Sequence, residues 1–167
     1  MFCLMFMLCG INSVDLYGLK EIARGGRVEY RRAKTHREYS VKVEPEARAI
    51  IDKYRGKKGL LCLADRWADY HNFTHQCNKA LKRIGDVKLV GRGGKKMITP
   101  LWPELSTYWA RHSWATIAYS IGISKDVIAQ ALGHADSTVT DIYIYKDPML
   151  VDDANRRVLD WVLYGRK

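Results

Sequence analysis

The sequence predicts an α+β fold that is mostly helical and carries a small antiparallel sheet. Apolar residues recur every three or four positions in several segments, which is the spacing of one helix face. Two short segments instead alternate apolar and polar residues, which is typical of strands with one buried face. At 167 residues the chain has the length of one domain, and we expect a single core.

The first half of the chain is predicted to hold the sheet between two helices. Residues 2–9 are apolar, but they are too few to span a membrane and lack a basic leader, so we predict a buried helix. Residues 28–31 and 39–43 have strand alternation and flank a basic hairpin tip at residues 32–37. Pro45 then begins the next helix.

The second half is predicted to be largely helical. Its apolar positions have helical spacing, and serine, threonine and glycine stand where helices usually start and stop. The predicted helices cover residues 67–84, residues 108–120 after a cap at Ser106 or Thr107, residues 124–132 between Ser124 and Gly133, and residues 150–163. Residues 91–96 are predicted to form a flexible basic loop, whose glycine and lysine positions do not fit a P-loop.

The charge balance indicates an anionic macromolecule as the partner. Lysine and arginine total 28 against 18 acidic residues, which makes the net charge +10. A surplus of this size favours a polyanion, because each cation that meets a phosphate releases a condensed counterion. We therefore expect nucleic acid as the leading partner, with no membrane and no small-molecule substrate.

The cysteines indicate neither a disulfide scaffold nor a metal site. Four cysteines are too few for a scaffold in a chain of 167 residues, and none has paired metal-type spacing. His71, His75 and Cys77 lack a second ligand pair at the distance of a zinc finger. We expect a reduced, cytoplasmic protein without a metal.

The last third of the chain carries residues suited to phosphate chemistry. Arg111 precedes His134 by 23 residues, and Tyr143 follows His134 by 9. Tyr108 stands three residues before Arg111, which puts both side chains on one helix face. A guanidinium, an imidazole and a phenol that converge on one phosphate predict DNA strand transfer.

These segments resemble the tyrosine recombinase (phage integrase) family. The resemblance is carried by Ala110-Arg111-His112-Ser113-Trp114-Ala115-Thr116, by Leu132-Gly133-His134, by Tyr143 and by Lys34-Thr35. It covers nearly the whole chain and implies the family's catalytic-domain fold, with a small antiparallel three-stranded sheet, over residues 1–167. Because the chain starts within an apparent core helix, we expect the family's N-terminal DNA-clamping domain to be absent and the catalytic domain to be truncated.

The resemblance also implies a role for each site residue. Tyr143 is the implied nucleophile, Arg111 the second active-site arginine, and His134 the family's histidine or tryptophan position. Lys34 is the implied hairpin lysine, which protonates the departing 5′ oxygen as a general acid. The product is a 3′-phosphotyrosine that conserves the bond energy, so no metal, cofactor or ATP is needed. Assembly of a homotetramer on DNA is implied as well.

Elementary energetics explain why the tyrosine needs such neighbours. A phenol has a pKa of about 10, so ionising it at neutral pH costs roughly 4 kcal/mol. The planar fork of Arg111 can bind two phosphate oxygens, a kind of contact worth about 3 to 4 kcal/mol in the transition state. His134 can donate to the same phosphate, so the two groups together offset much of the cost.

Two positions depart from the family pattern. Asn12, within residues 10–16, stands where the family has its first active-site arginine, and an amide supplies no charge. Either another basic residue such as Arg24 or Arg31 reaches the phosphate, or turnover is slow. Tyr108, which we keep as a catalytic candidate, replaces a usual histidine; its hydroxyl can donate to phosphate but shuttles protons poorly near pH 7.

Two nonenzymatic interpretations stay open. Residues 117–132, with Gly122 between two short helices, resemble a helix-turn-helix, although Lys125 and Gln130 are the only plausible base readers of the second helix. A degenerate integrase that binds DNA but has lost cleavage through Asn12 is the other alternative. Both predict that no covalent DNA adduct forms.

Overall fold

A computed structural model describes residues 1–133 and 147–165, which form eight α-helices and four β-strands in an α+β arrangement. The elements in chain order are α1 Phe2–Met7, α2 Ser13–Gly18, β1 Arg27–Arg31, β2 Glu38–Lys42, α3 Pro45–Lys53, α4 Leu63–Arg66, α5 Tyr70–Leu81, β3 Gly85–Val90, β4 Lys95–Pro100, α6 Trp109–Ser120, α7 Lys125–Leu132 and α8 Pro148–Tyr164. The predicted α+β class, with helix predominating, is confirmed. None of the described helices is both long and apolar enough to cross a membrane.

The first helix is largely buried in the core, in agreement with the predicted buried helix. Leu4 and Leu8 are fully buried, and α1 packs against α3 and α6. Trp114 of α6 and Val158 of α8 are also fully buried in this cluster. Burial of each such side chain stabilises the fold by about 1.5 to 3 kcal/mol, so α1 holds the helical layers together.

A buried amide links three of these helices. The Trp114 indole nitrogen donates to the Asn155 side-chain oxygen over 2.9 Å, and the Asn155 amide donates to the Met7 carbonyl over 2.9 Å. Asn155 is 2% exposed, so each of these polar groups would be costly without its partner. The pair of bonds therefore fixes how α1, α6 and α8 pack.

The predicted three-stranded sheet is wrong, because the described residues form two separate two-stranded antiparallel sheets. In the first, Val28 lies opposite Val41 and Tyr30 opposite Tyr39. Only an isolated bridge between Ala23 and Arg27 adds to it among the described residues. The predicted hairpin with a basic tip is confirmed, and a third strand is not.

The second sheet is a hairpin, and residues 91–96, predicted to form a flexible basic loop, are its turn and the start of β4. β3 and β4 pair from Gly85↔Pro100 to Val90↔Lys95. Gly91 and Gly94 have φ of +73° and +61°, values that L side chains rarely adopt, so these glycines turn the chain back on itself. Apolar and polar residues are mixed on both faces, which conceals the strand alternation.

Helix boundaries follow the predicted caps in part. The Ser124 hydroxyl accepts from the Val127 amide, and Gly133 ends α7 with φ +65°, as expected. The predicted cap of α6 is wrong, because Tyr108 is the capping position and no side chain accepts there. The Thr107 amide instead donates to the Asn78 side chain over 2.7 Å, which ties the start of α6 to α5.

Candidate functional site

Arg111 lies on the buried side of α6 and is only 8% exposed. Its guanidinium donates to the Gly10 carbonyl over 3.2 Å and also to the Leu132 carbonyl at the end of α7. A side chain on Gly10 would lie 2.6 Å from the Arg111 Cα, and Gly10 has φ +67°. The turn after α1 therefore requires glycine where it meets this arginine.

Arg32 is the second guanidinium at this place, although it is not among the site residues that the sequence predicts. It lies in the hairpin tip after β1, is 8% exposed, and donates to the carbonyls of Leu132 and Gly133 over 2.8 and 2.7 Å. Arg24 and Arg31, the two candidates for this role, are both exposed, and Arg31 donates to the His36 carbonyl instead.

A signal for Arg32 was present in the strand pattern. Side chains two residues apart in a strand point to the same face, so Arg32 continues the face of buried Val28 and half-buried Tyr30. Arg31 points to the opposite, exposed face. The period of two therefore identifies which of the two neighbouring arginines turns towards the core.

The two guanidiniums repel each other across the shared carbonyl. Burial lowers the pKa of Arg111, and the positive charge of Arg32 lowers it further. Neither arginine forms an ion pair with a carboxylate among residues 1–133 and 147–165. Asp15 is buried beside the hairpin tip, and its carboxylate accepts a hydrogen bond from the Ala33 amide over 2.9 Å rather than from either arginine. Two adjacent buried cations that have no carboxylate partner in the described part of the chain favour a further anion beside them.

Both arginines donate hydrogen bonds to backbone carbonyls at the carboxyl end of α7. The negative end of a helix dipole favours cations, so Arg32 and Arg111 stabilise this terminus while they are oriented by it. Tyr39 stacks on Tyr30 with ring centroids 5.5 Å apart, and its hydroxyl lies 1.3 Å from where a Gly133 Cβ would be. The chain at Gly133 is therefore fitted against the first sheet.

Tyr108 and Arg111 line one cleft, together with Asn12, as their spacing on the helix predicts. The cleft has a volume of about 280 Å³. Tyr108 is 55% exposed, and its ring meets His112 edge-on with centroids 4.6 Å apart. Asn12 occupies the capping position of α2, but its side chain makes no capping hydrogen bond. A phenol, an amide and a guanidinium thus share a wall that opens to solvent.

Of the other predicted site residues, one is exposed on the surface and two lie outside the described part of the chain. Lys34 is exposed at the hairpin tip, two residues beyond Arg32. His134 and Tyr143 lie outside the described residues, so the structure makes no statement on their geometry. Gly133, whose carbonyl Arg32 binds, directly precedes His134 in the sequence.

Comparisons with protein-family models, curated proteins and solved structures found no match to this chain. Among residues 1–133 and 147–165, no group of three or more histidine, cysteine, aspartate or glutamate side chains is placed to hold a metal ion.

Proposed function

We propose that the chain is the catalytic domain of a site-specific DNA recombinase of the tyrosine recombinase type. The observation that carries the proposal is the convergence of Arg32 and Arg111 on the Leu132 carbonyl, two residues before His134. Two forked donors beside one another suit the non-bridging oxygens of a phosphodiester. Arg32 then supplies the charge that Asn12 does not.

The proposed reaction exchanges one phosphoester for another. The Tyr143 oxygen attacks the scissile phosphorus, its proton passes to solvent, and the bond from phosphorus to the 5′ oxygen breaks. Lys34 protonates that oxygen, which leaves a free 5′ hydroxyl and a 3′-phosphotyrosine. A 5′ hydroxyl of another strand then attacks the phosphotyrosine and restores the tyrosine. Arg32, Arg111 and His134 stabilise the charge that develops on the phosphate.

The proposed partner is double-stranded DNA, and the proposed assembly is a homotetramer on that DNA, in the nucleoid. The net charge of +10 supports binding to a polyanion. Because the phosphotyrosine conserves the bond energy, the proposed reaction proceeds without a cofactor.

The helix-turn-helix alternative is less well supported. Gln130 donates to the Asp147 carbonyl over 3.2 Å, and Lys125 lies over the Tyr119 ring at 5.9 Å from its centroid. Both residues that would read bases from α7 are therefore engaged within the protein. A degenerate integrase that binds DNA without cleaving it differs from the proposed enzyme in forming no covalent adduct.

The proposal is tested with nicked duplexes built from the DNA junctions of the element that encodes the chain. A nick beside the scissile phosphate lets the short 5′ hydroxyl strand diffuse away and traps the covalent complex. We expect a product resistant to denaturation by detergent that retains a label on the 5′ side of the cleaved strand. A label on the 3′ side should be released, because the tyrosine joins the 3′ phosphate.

Tyr143→Phe should form no adduct, whereas Tyr119→Phe, which alters an exposed tyrosine of α6 away from the motif, should form it at the native rate. Unchanged adduct formation by Tyr143→Phe would refute the assigned nucleophile. Binding of the junction DNA without any adduct from the native chain would favour the degenerate alternative.

A further inference from the structure

The β3–β4 hairpin stands out from the fold as a ribbon with solvent on both faces. Every residue from Asp86 to Met97 is exposed, including Leu89 at 70% and Val87 at 54%. An isolated two-stranded hairpin is marginally stable in water, and exposed apolar side chains add nothing to it. A partner that covers the ribbon would bury these side chains and stabilise it.

The charge of this region identifies the class of partner. Residues 79–96 contain one acidic residue, Asp86, and seven basic residues, which are Lys79, Lys82, Arg83, Lys88, Arg92, Lys95 and Lys96. All seven basic residues are exposed. None of them forms an ion pair with a carboxylate in the described part of the chain. A partner rich in negative charge is favoured over a second copy of this basic chain.

The base of the ribbon adjoins the candidate site. β3 follows α5 and β4 leads to α6, and both of these helices contribute residues to the cleft that contains Arg111. The Leu101 amide closes the base through the Ile84 carbonyl over 3.0 Å, and the Thr107 amide is held by Asn78. The foot of the ribbon is therefore joined to the two helices that line the cleft.

We propose that the β3–β4 ribbon is a DNA-binding arm that grips the duplex beside the phosphate bound at Arg32 and Arg111, an inference that rests on the proposed function. Two-stranded ribbons have the width that a major groove admits. Gly91 and Gly94 make a narrow turn, and a Cβ on either would meet nothing within 4 Å. Lys88, Lys95 and Lys96 contact phosphates, while the apolar side chains meet base edges.

The test compares two variants that each lose four positive charges. One replaces Lys88, Arg92, Lys95 and Lys96 by glutamine, and the matched control replaces Lys20, Lys53, Lys57 and Lys58, which are exposed lysines of other segments. Binding of the full chain to a fluorescein-labelled random-sequence duplex is followed by anisotropy over a range of salt concentrations. Both variants have the same net charge, so a difference between them reports position.

We expect the ribbon variant to bind about tenfold or more weakly, with a salt slope smaller by about 2 to 4. The control variant should change both quantities much less. Equal losses in the two variants would mean that net charge alone drives binding, and native binding by the ribbon variant would mean that the ribbon does not touch DNA. Either result overturns the inference.

Two further measurements separate the remaining possibilities. Sedimentation of the native chain without DNA tests self-association, and a dimer that only the ribbon variant abolishes would make the ribbon a protein interface, against the inference. Adduct formation on the nicked junction substrate tests the proposed function independently. If the native chain forms the adduct and the ribbon variant binds DNA as tightly as the native chain, only the inference about the ribbon is refuted. If the ribbon variant binds DNA more weakly but the native chain forms no adduct, only the proposed catalytic function is refuted.

Discussion

Arg32 and Arg111 donate hydrogen bonds to the same backbone oxygen, the carbonyl of Leu132. One arginine comes from the first hairpin and the other from α6, so the contact joins two distant parts of the chain at the end of α7. Like charges this close are costly to bury. An anion between them removes that cost, which makes the pair suited to a phosphate.

Arg32→Ala is expected to slow adduct formation on the nicked junction substrate by about 10²- to 10³-fold, because one of two charge-stabilising donors is lost. Arg111→Ala should show a loss of similar size. Arg31→Ala is the matched control, since the Arg31 side chain is exposed on the opposite face of the same hairpin and its loss should leave the rate nearly unchanged.

A methylphosphonate at the scissile position separates catalysis from structure. This substrate lacks one charged oxygen, so it needs fewer cations, and the rate gap between Arg32→Ala and the native chain should narrow. A gap that persists on the neutral substrate would show that Arg32 acts only by holding α7. Equal losses for Arg31→Ala and Arg32→Ala would show that Arg32 has no role beyond that of an ordinary positive charge on the hairpin.

Lys34→Ala is expected to slow cleavage of an ordinary phosphodiester by about 10²- to 10⁴-fold, the range of general acid catalysis. Replacement of the bridging 5′ oxygen by sulfur should restore most of the rate, because a thiolate with a pKa near 8.5 leaves without a proton. Burst kinetics on the two substrates measure the effect. Arg111→Ala serves as the control and should not be rescued by sulfur, and an unrescued Lys34→Ala would remove the acid role.

The sequence pattern predicts the helical part of the fold well, because its signals are local. Helical spacing of apolar residues marks α5, α6 and α8, and Ser124 and Gly133 mark the ends of α7. The sheet is harder to predict, since strand pairing depends on distant contacts. The β3–β4 ribbon packs neither face on the core, so its sequence shows no alternation between buried and exposed residues.

The candidate site was predictable only in part for a related reason. Arg111 is marked by its own motif, and its burial follows from a helix that faces the core. Arg32 belongs to no motif and gains its meaning from the place where the hairpin meets the end of α7. When a residue distant in sequence supplies a missing charge, as proposed for Arg32 and Asn12, the only local signal is the alternation of residues along the strand.

Gly133→Ala is expected to lower the free energy of unfolding by about 2 to 4 kcal/mol, measured by urea denaturation. A φ of +65° costs an L residue about 1 kcal/mol, and the new Cβ would overlap the Tyr39 hydroxyl, which must move. Gly122→Ala is the matched control, since it has φ +80° but open space around the new Cβ. Gly122→Ala should lower the free energy of unfolding only by the cost of the positive φ. Equal losses of free energy at both glycines would contradict the close fit of Gly133 against Tyr39.

Glu46 should contribute to stability in a pH-dependent way. Hydrogen bonds from Arg156, with a further one from Tyr164, lower the pKa of Glu46 from 4.5 to about 2. Because the folded chain binds this proton less tightly than the unfolded chain, the stabilisation is complete above pH 4.5 and is lost as the pH falls towards 2. Urea denaturation at a series of pH values measures it.

Glu46→Gln is therefore expected to cost about 1 to 2 kcal/mol at pH 7 and much less near pH 2, which flattens the acid limb of the stability profile. Asp52→Asn is the control, because Asp52 pairs with Arg48 and Arg55 on the exposed surface, where solvent screens the charges. An acid limb that stays as steep in Glu46→Gln as in the native chain would assign the pH dependence to other carboxylates. The ion pairs of Arg156 that join α8 to the start of α3 would then contribute little to the fold.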